Sequence, residues 1–420
     1  LFIYTVKEGD SLFSIGRKYE VSYQSIMTLN GITNTNIVPG QSIAIPQSVY
    51  NVQPGDSFYT ISQMTYVPVE SLMATNNFWN PYQLTVGMRL KIPELPSYPI
   101  NSMGYVTIRT PEKDKELIQL LSPLISYIPL FEYHFYRDGS LSDLNDETAI
   151  QTAKNNHSAP IATITNLTES GFSGELVHEV LNSPELRNRL IENIFSLLST
   201  KQYMGVNIDF EGVHADDRDL FSGFLRLLSE RLKPHGYITS VAIPPKTSDE
   251  IPWLLGYDYG GIGSAVDLVF IMAYDWHHAG GVPGPVAPIE QVRNTIEYAI
   301  NRMNSKKVIL GFPRYGYDWT LLEGNEYSGK AISSLEATRR AMNYQVPIFY
   351  SQQHQAPWFQ YQDNKGRTHV VWFEDSRSFA AKMLLVREYR LRGMGAWQIG
   401  LEFPQAPSLM LKFFNIKKVI

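Results

Sequence analysis

The sequence predicts an α/β protein: one (β/α)8 barrel with an α+β insertion between its seventh and eighth strands, preceded by two small βααβ modules. Three observations predict it. Residues 1–93 contain an internal repeat, the rest of the chain alternates apolar strand-like runs with helical stretches, and one of those runs ends in acids that share a face.

The repeat is dense. Tyr4-Thr5-Val6-Lys7-Glu8-Gly9-Asp10-Ser11-Leu12 matches Tyr50-Asn51-Val52-Gln53-Pro54-Gly55-Asp56-Ser57-Phe58, and Ile15, Asn30, Gly40 and Pro46 have counterparts in Ile61, Asn76, Gly87 and Pro93. Each copy reads as a strand, a Gly-Asp turn, an amphipathic helix, a short second helix ending near the Asn, and a closing strand. Gly permits the tight turn, and Asp or Ser supplies the side-chain oxygen of a helix N-cap. The copies occupy 1–47 and 48–94. Residues 95–101, with Pro96 and Pro99, read as a short stiff linker.

The texture then changes, over 102–420. Strands are predicted over 103–108, 127–133, 160–165, 205–209, 238–243, 268–273, 307–312 and 394–398. Several are continuous apolar runs, as expected of parallel strands covered on both faces. Helices fall between them, over 188–199, 216–232, 289–303 and 377–389. This order fits a single (β/α)8 barrel. The interval between the last two strands is too long for one helix, and 317–372 reads as the inserted subdomain, forming one wall of a groove.

The chemistry concentrates on the fourth strand. Polar and apolar residues alternate strictly from Val206 to Glu211, so Asn207, Asp209 and Glu211 share one face. Three polar side chains are costly to bury without a role or a network. Gly212 follows, which places the acidic end at the C-terminal mouth of the strand, where barrels build their active sites. Carboxylates at i and i+2 lie roughly 6–7 Å apart at their Cα atoms and are able to share a proton, which raises the apparent pKa of the outer one. Glu211 is then the group held protonated to serve a leaving oxygen. Ordinary glycosidases flank the sugar with two carboxyls; two on one strand face favour a nucleophile from elsewhere, such as the substrate. A barrel strand with a buried ion network is the competing reading.

Composition narrows the classes. Net charge is −5 over 420 residues, which gives no electrostatic case for nucleic acid or an anionic membrane. Cysteine is absent, which excludes disulfides, zinc-thiolate sites and a cysteine nucleophile. No apolar run is long enough to span a membrane, and no secretory signal is visible. His277-His278 has no acidic partner at ligand spacing, so neither a metal nor another cofactor is expected. Asn166-Leu167-Thr168 matches a glycosylation acceptor, a triplet common by chance.

Two resemblances follow from these residues. The repeat, with its Val-x-x-Gly-Asp-Ser turn, helix Ile, downstream Asn and closing Ile-Pro, resembles the LysM module in tandem. The resemblance implies binding to N-acetylglucosamine residues of peptidoglycan or chitin through Gly9, Asp10, Ser11 and Leu12 and through Gly55, Asp56, Ser57 and Phe58. The loops near 30–33 and 76–79 would form the other wall. In the barrel, Gly205-x-Asn207-x-Asp209-x-Glu211, Met272-Ala273-Tyr274-Asp275-Trp276, Gly311-Phe312-Pro313-Arg314-Tyr315-Gly316 and Gly395-Ala396-Trp397 together resemble glycoside hydrolase family 18.

That resemblance implies that Glu211 is general acid and then base. Asp209 would hold the substrate's N-acetyl group, whose oxygen attacks the anomeric carbon with net retention. Tyr274 would hydrogen-bond the acetamido oxygen and Asp275 nearby hydroxyls; Trp397 would floor the sugar site and Met272 would line it. Arg314 is open between substrate and a barrel carboxylate. The family commonly has acids where Met204 and Asn207 stand here. Asn207 is expected to hydrogen-bond Asp209 rather than share its proton, shifting the pH profile. The combination is similar to bacterial spore peptidoglycan hydrolases. It implies an N-acetylglucosaminidase acting on cortex or its fragments, located in the spore or cell wall. A chitinase or endo-β-N-acetylglucosaminidase is the alternative, and a non-catalytic glycan-binding coat protein is the reading from another class.

Overall fold

The computed structural model describes residues 1–420, apart from the side chain of Asn325. Its centre is a closed barrel of eight parallel strands: Tyr98–Gly104, Tyr127–His134, Ala159–Thr165, Gly205–Asp209, Ile238–Ile243, Leu268–Ile271, Val308–Pro313 and Gly393–Trp397. The first strand closes the ring by pairing with the eighth and, at Met103, with the second. Apolar residues with β-branched side chains fill these strands: Ile161, Val206, Ile208, Val241, Val269 and Ile309 are all buried. Helices pack outside, among them Gly174–Asn182, Pro184–Lys201, Arg218–Leu232 and Ser376–Glu388.

The first strand differs from the sequence expectation. It begins at Tyr98, inside the segment read as linker. Tyr98–Ile100 pairs with Phe414–Ile416 near the chain's far end, a contact that no local pattern could reveal. Pro99 is tolerated there because it lies near the outer end of the strand.

The insertion is a five-stranded antiparallel sheet with the helix Ser334–Tyr344. It starts at Tyr315, directly after the seventh barrel strand, and returns through Thr368–Trp372. At its exit Asp375 caps helix Ser376–Glu388 in a capping box with Ser378, and Glu374 is buried against Lys382 at 2.8 and 3.0 Å.

Each amino-terminal module has one two-stranded sheet, Phe2–Thr5 with Ser42–Ile45 and Val49–Asn51 with Arg89–Lys91. Ser11 and Ser57 cap the first helices in reciprocal boxes with Ser14 and Thr60. The first module is fastened to the barrel side of the molecule. Arg377 donates to the Gly40 carbonyl and the Thr5 hydroxyl, Gln405 donates to Asn30, and Ile348 N–H donates to the Pro39 carbonyl. Gly40 has φ +80° and a Cβ there would collide with the Ile348 carbonyl oxygen, so both the turn and the close approach require glycine.

Candidate active site

The C-terminal mouth of the barrel encloses a cavity of about 530 Å³. Asp209 and Glu211 from the fourth strand, Met272, Tyr274 and Asp275 after the sixth, and Trp397 at the end of the eighth all line it. Tyr105, Phe131, Phe270 and Phe172 add apolar walls. Six of the predicted site residues, scattered over nearly 190 positions of sequence, are therefore brought together.

Trp397 lines the cavity and is held by edge-on contacts with Phe131 at 4.9 Å and Tyr105 at 5.7 Å between ring centroids. Such locking presents one indole face at fixed tilt. Asp275 sits in the left-handed region at φ +63° and accepts hydroxyl hydrogens from Tyr315 and Tyr317, each at 2.9 Å. Asp tolerates this backbone better than most residues. Both tyrosines come from the start of the insertion, so the subdomain fixes an acid of the mouth.

The electrostatics favour protonated acids. Burial pushes the Glu211 carboxyl up to about 7, and the Asp275 charge adds to it. Asp209 is also held well above the usual carboxylate range, by burial first and then by Glu211 and Glu132. Asp275 is raised by burial, partly offset by its two tyrosine donors. Several carboxyls in one enclosed mouth cannot all ionise at neutral pH, so protons are retained among them. Asp209 Oδ1 has no protein partner although it is buried. An acceptor left open in a cavity wall is ready for a ligand N–H.

Two predicted residues lie elsewhere. Asn207 does not bond Asp209. It is fully buried one step deeper, paired in register with Ser240, whose hydroxyl donates to Asn207 Oδ1 at 3.0 Å. Its amide oxygen is engaged across the strand by Ser240 rather than by the acid, and its Nδ2 is buried without a partner. Arg314 is not in the cavity wall. Its buried guanidinium donates to the Ile399 carbonyl at 3.1 Å, facing neither substrate space nor a barrel carboxylate. Burial alone lowers its pKa to about 10.

In the modules, the turn residues are occupied internally. Asp10 Oδ2 accepts from Tyr4 Oη and Lys7 N, and Asp56 Oδ2 from Tyr50 Oη and Gln53 N, at 2.7–2.8 Å. Gly9 and Gly55 adopt φ +81° and +85°. Ser11 and Ser57 cap helices, and Leu12 and Phe58 are buried in the module cores.

Other residues at the mouth were not singled out from sequence. Glu132 lies near the C-terminal end of the second strand and accepts from Thr165 Oγ1 at 2.8 Å; an acid close to the end of an apolar barrel strand was the available signal. Asn166 is the more informative. Its amide oxygen accepts from Glu211 N at 2.9 Å and its nitrogen donates to Glu211 O at 2.7 Å, as well as to Ser173 O. The side chain thus clamps the backbone of the acid from both sides. It is fully buried, so this triplet does not present an accessible acceptor for a glycan.

Residues 102–402 match the glycosyl hydrolases family 18. The chain belongs to that family. Residues 4–46 and 50–93 each match the LysM domain. The chain is 51% identical over its whole length to the Bacillus subtilis (strain 168) protein named "Putative sporulation-specific glycosylase YdhD", all of which is covered. It is 38% identical to the cortical fragment-lytic enzyme of the same organism, covering 99% of each chain. Among solved structures, the Bacillus cereus spore cortex-lytic enzyme SleL superposes with a TM-score of 0.89 at 36% identity, over 99% of both chains. No helix among the described residues is long and apolar enough to cross a membrane.

Proposed function

We propose that this family 18 glycoside hydrolase is a retaining N-acetylglucosaminidase that cleaves spore cortex peptidoglycan or its fragments by substrate-assisted catalysis. The observation that carries the reading is the pairing of a proton-bearing Glu211 with an open, buried Asp209 oxygen in one cavity that Trp397 also lines. Glu211 donates its proton to the glycosidic oxygen as the bond to the anomeric carbon breaks. The acetamido oxygen of the same sugar forms the new bond to that carbon. Asp209 accepts the acetamido N–H on its open oxygen, and the Tyr274 phenol, kept protonated by burial, donates to the acetamido oxygen. Glu211, now a carboxylate, takes a proton from the water that reopens the ring, so both carbon–oxygen exchanges invert and the product retains configuration. Asp275 holds its two tyrosines and meets a sugar hydroxyl. Arg314 and Asn207 support the barrel wall and have no substrate role in this reading.

The full-length relatives named for spore cortex lysis support the substrate, as do two modules of a kind that binds N-acetylglucosamine polymers. A spore or cell-wall location follows from that substrate. Mass spectrometry of products from cortex peptidoglycan, run beside a Glu211→Gln variant, tests it. New reducing-end N-acetylglucosamine from the parent alone is the expected result. Cleavage of chitin oligomers but not peptidoglycan would replace the substrate, and no cleavage of either would favour a glycan-binding protein.

A further inference from the structure

Three residues beyond Glu211, the loop that carries the acid enters a second polar cluster that the hydrolytic reaction does not use. His178 comes from helix Gly174–Asn182, His214 from the loop after the fourth strand, and Asp217 from the turn that opens helix Arg218–Leu232. One ligating atom of each lies within 4.8 Å of the others. His178 Nδ1 is 2.9 and 3.0 Å from the two Asp217 oxygens, and His214 Nδ1 is 3.9 Å from Asp217 Oδ2.

The environment is that of a cation site rather than of an ordinary surface pair. The Asp217 side chain is only 1% exposed, yet among the described residues its ion-pair partners are these two imidazoles; no Lys or Arg reaches it. A buried carboxylate without a fixed positive partner is costly. Asn182 Nδ2 lies 3.0 Å from Asp217 Oδ1 and also 3.1 Å from His178 Nδ1. Two nitrogens thus face one carboxylate. With a hydrogen on each, both donate to Asp217; with none on His178 Nδ1, its lone pair faces the anion. A cation held by imidazole and carboxylate together removes that second conflict. Glu175 and Asp216 add negative charge nearby. Both imidazoles are nearly half exposed, at 43% and 46%, which gives an entry path and room for water as the remaining ligand.

We propose that His178, His214 and Asp217 bind one divalent transition-metal cation of the zinc class. Two imidazole nitrogens and one carboxylate oxygen suit Zn²⁺ and its neighbours, with metal–ligand bonds of about 2.0–2.2 Å. They do not suit Mg²⁺ or Ca²⁺, which take oxygen shells. The role is structural. Gly174 opens the helix that bears His178, and a side chain there would collide with the Gly212 carbonyl and the His214 ring. The helix therefore lies directly on the loop between Glu211 and His214. A cation shared by His178, His214 and Asp217 fastens that loop to two helices and takes no part in bond cleavage.

The test uses the full chain after dialysis against EDTA. It is titrated calorimetrically with ZnCl₂ and, separately, MgCl₂, and its melting temperature is followed in both. The variants are His178→Gln and His214→Gln, at half-exposed positions, each verified as folded by circular dichroism. One equivalent of Zn²⁺ should bind, raise the melting temperature, and bind at least tenfold more weakly in each variant, with no Mg²⁺ response. Co²⁺ should give a visible absorption band of a nitrogen-ligated site that both variants lose. The proposal fails if Zn²⁺ does not bind, if Mg²⁺ binds equally, or if either variant binds as the parent does, since the other histidines of the chain would then hold the ion.

Discussion

The mouth of the barrel and the turns of the two modules both carry short polar motifs, but they use their hydrogen-bonding capacity in opposite ways. At Asp10 and Asp56 the side chains tie their own turns, through a tyrosine hydroxyl and a backbone N–H at closely similar distances in the two copies. Asn30 and Asn76 likewise bridge the second helix to the closing strand, Asn30 through Ala44 and Asn76 through Lys91. In the barrel, Asp209 Oδ1 and the Tyr105 hydroxyl are buried without partners, and burial, with the Asp275 charge beside it, pushes the Glu211 carboxyl up to about 7. Native interiors rarely tolerate such open groups. Residues that satisfy themselves hold a fold, and residues left unsatisfied in a cavity are available to a ligand. The comparison predicts that the two sets of residues respond to substitution in opposite directions.

The largest effect is expected at Glu211. Glu211→Gln should lower kcat about 10²–10⁴-fold, the range of general acid–base catalysis, while making the protein more stable above neutrality. The sign follows from the raised pKa. The native carboxyl holds its proton to about pH 7, the unfolded one only to 4.5. The stability this group contributes is present below pH 4.5 and is lost as pH rises to about 7. Removing the ionisable group should therefore raise stability at pH 8 by roughly 2 kcal/mol, given about 1.4 kcal/mol per pKa unit and partial solvent relaxation. Melting temperatures of both proteins at pH 4.5 and pH 8 read this directly; an equal or lower value for the variant at pH 8 would show that the buried Glu211 carboxylate does not destabilise the fold. In the parent, kcat should also decline as pH rises through about 7, as the acid loses its proton.

A smaller loss is expected at Asn166. It does not line the cavity but clamps both backbone groups of Glu211. Asn166→Ala should reduce kcat about 10–100-fold, by analogy with the cost of misplacing a reacting group, with KM little changed. It should also move the alkaline limb of the pH–rate curve, because the carboxyl would sit differently in its buried setting. A fall in stability with an unmoved pH–rate curve would assign Asn166 to the fold alone.

The barrel was legible because its signals are local. Alternation over Val206–Glu211 places polar residues on one face, and both acids do line the cavity. What sequence missed depends on contacts across the ring. The partner of Asn207 is on the adjacent strand, at Ser240, and nothing within the motif distinguishes that from a bond to Asp209. Asn166 reads as part of a surface triplet until the chain folds it under Glu211. Arg314 follows a motif at a strand end, yet its side chain turns to the Ile399 carbonyl, which lies beyond the eighth strand. Tyr315 and Tyr317 were legible as aromatic residues, but their union with Asp275 needs the insertion to fold back.

The modules should behave in the reverse manner to the barrel mouth. Asp56→Ala removes an acceptor that holds Tyr50 Oη and Gln53 N. The Tyr50 hydroxyl then keeps only the neighbouring Tyr19 hydroxyl, and the lost bond costs about 1 kcal/mol. The second module should unfold at lower denaturant concentration, and kcat on a soluble oligosaccharide should stay within about twofold of the parent. Asp10→Ala carries the same local loss in a module braced by Arg377, Gln405 and Ile348 from the catalytic side. Because Phe2 and Tyr19 of the first module pack on Tyr50 of the second in one shared core, the two modules should lose structure together in either variant. The smallest effect is expected at Trp79 and Tyr82, which lie on the second module at 95% and 91% exposure with no packing role. Trp79→Ala should leave stability within about 0.5 kcal/mol, as for surface positions generally. If this face stacks on sugars, retention on insoluble peptidoglycan should fall several-fold, while hydrolysis of soluble fragments is unchanged. Equal retention would place the polymer contact elsewhere on the chain.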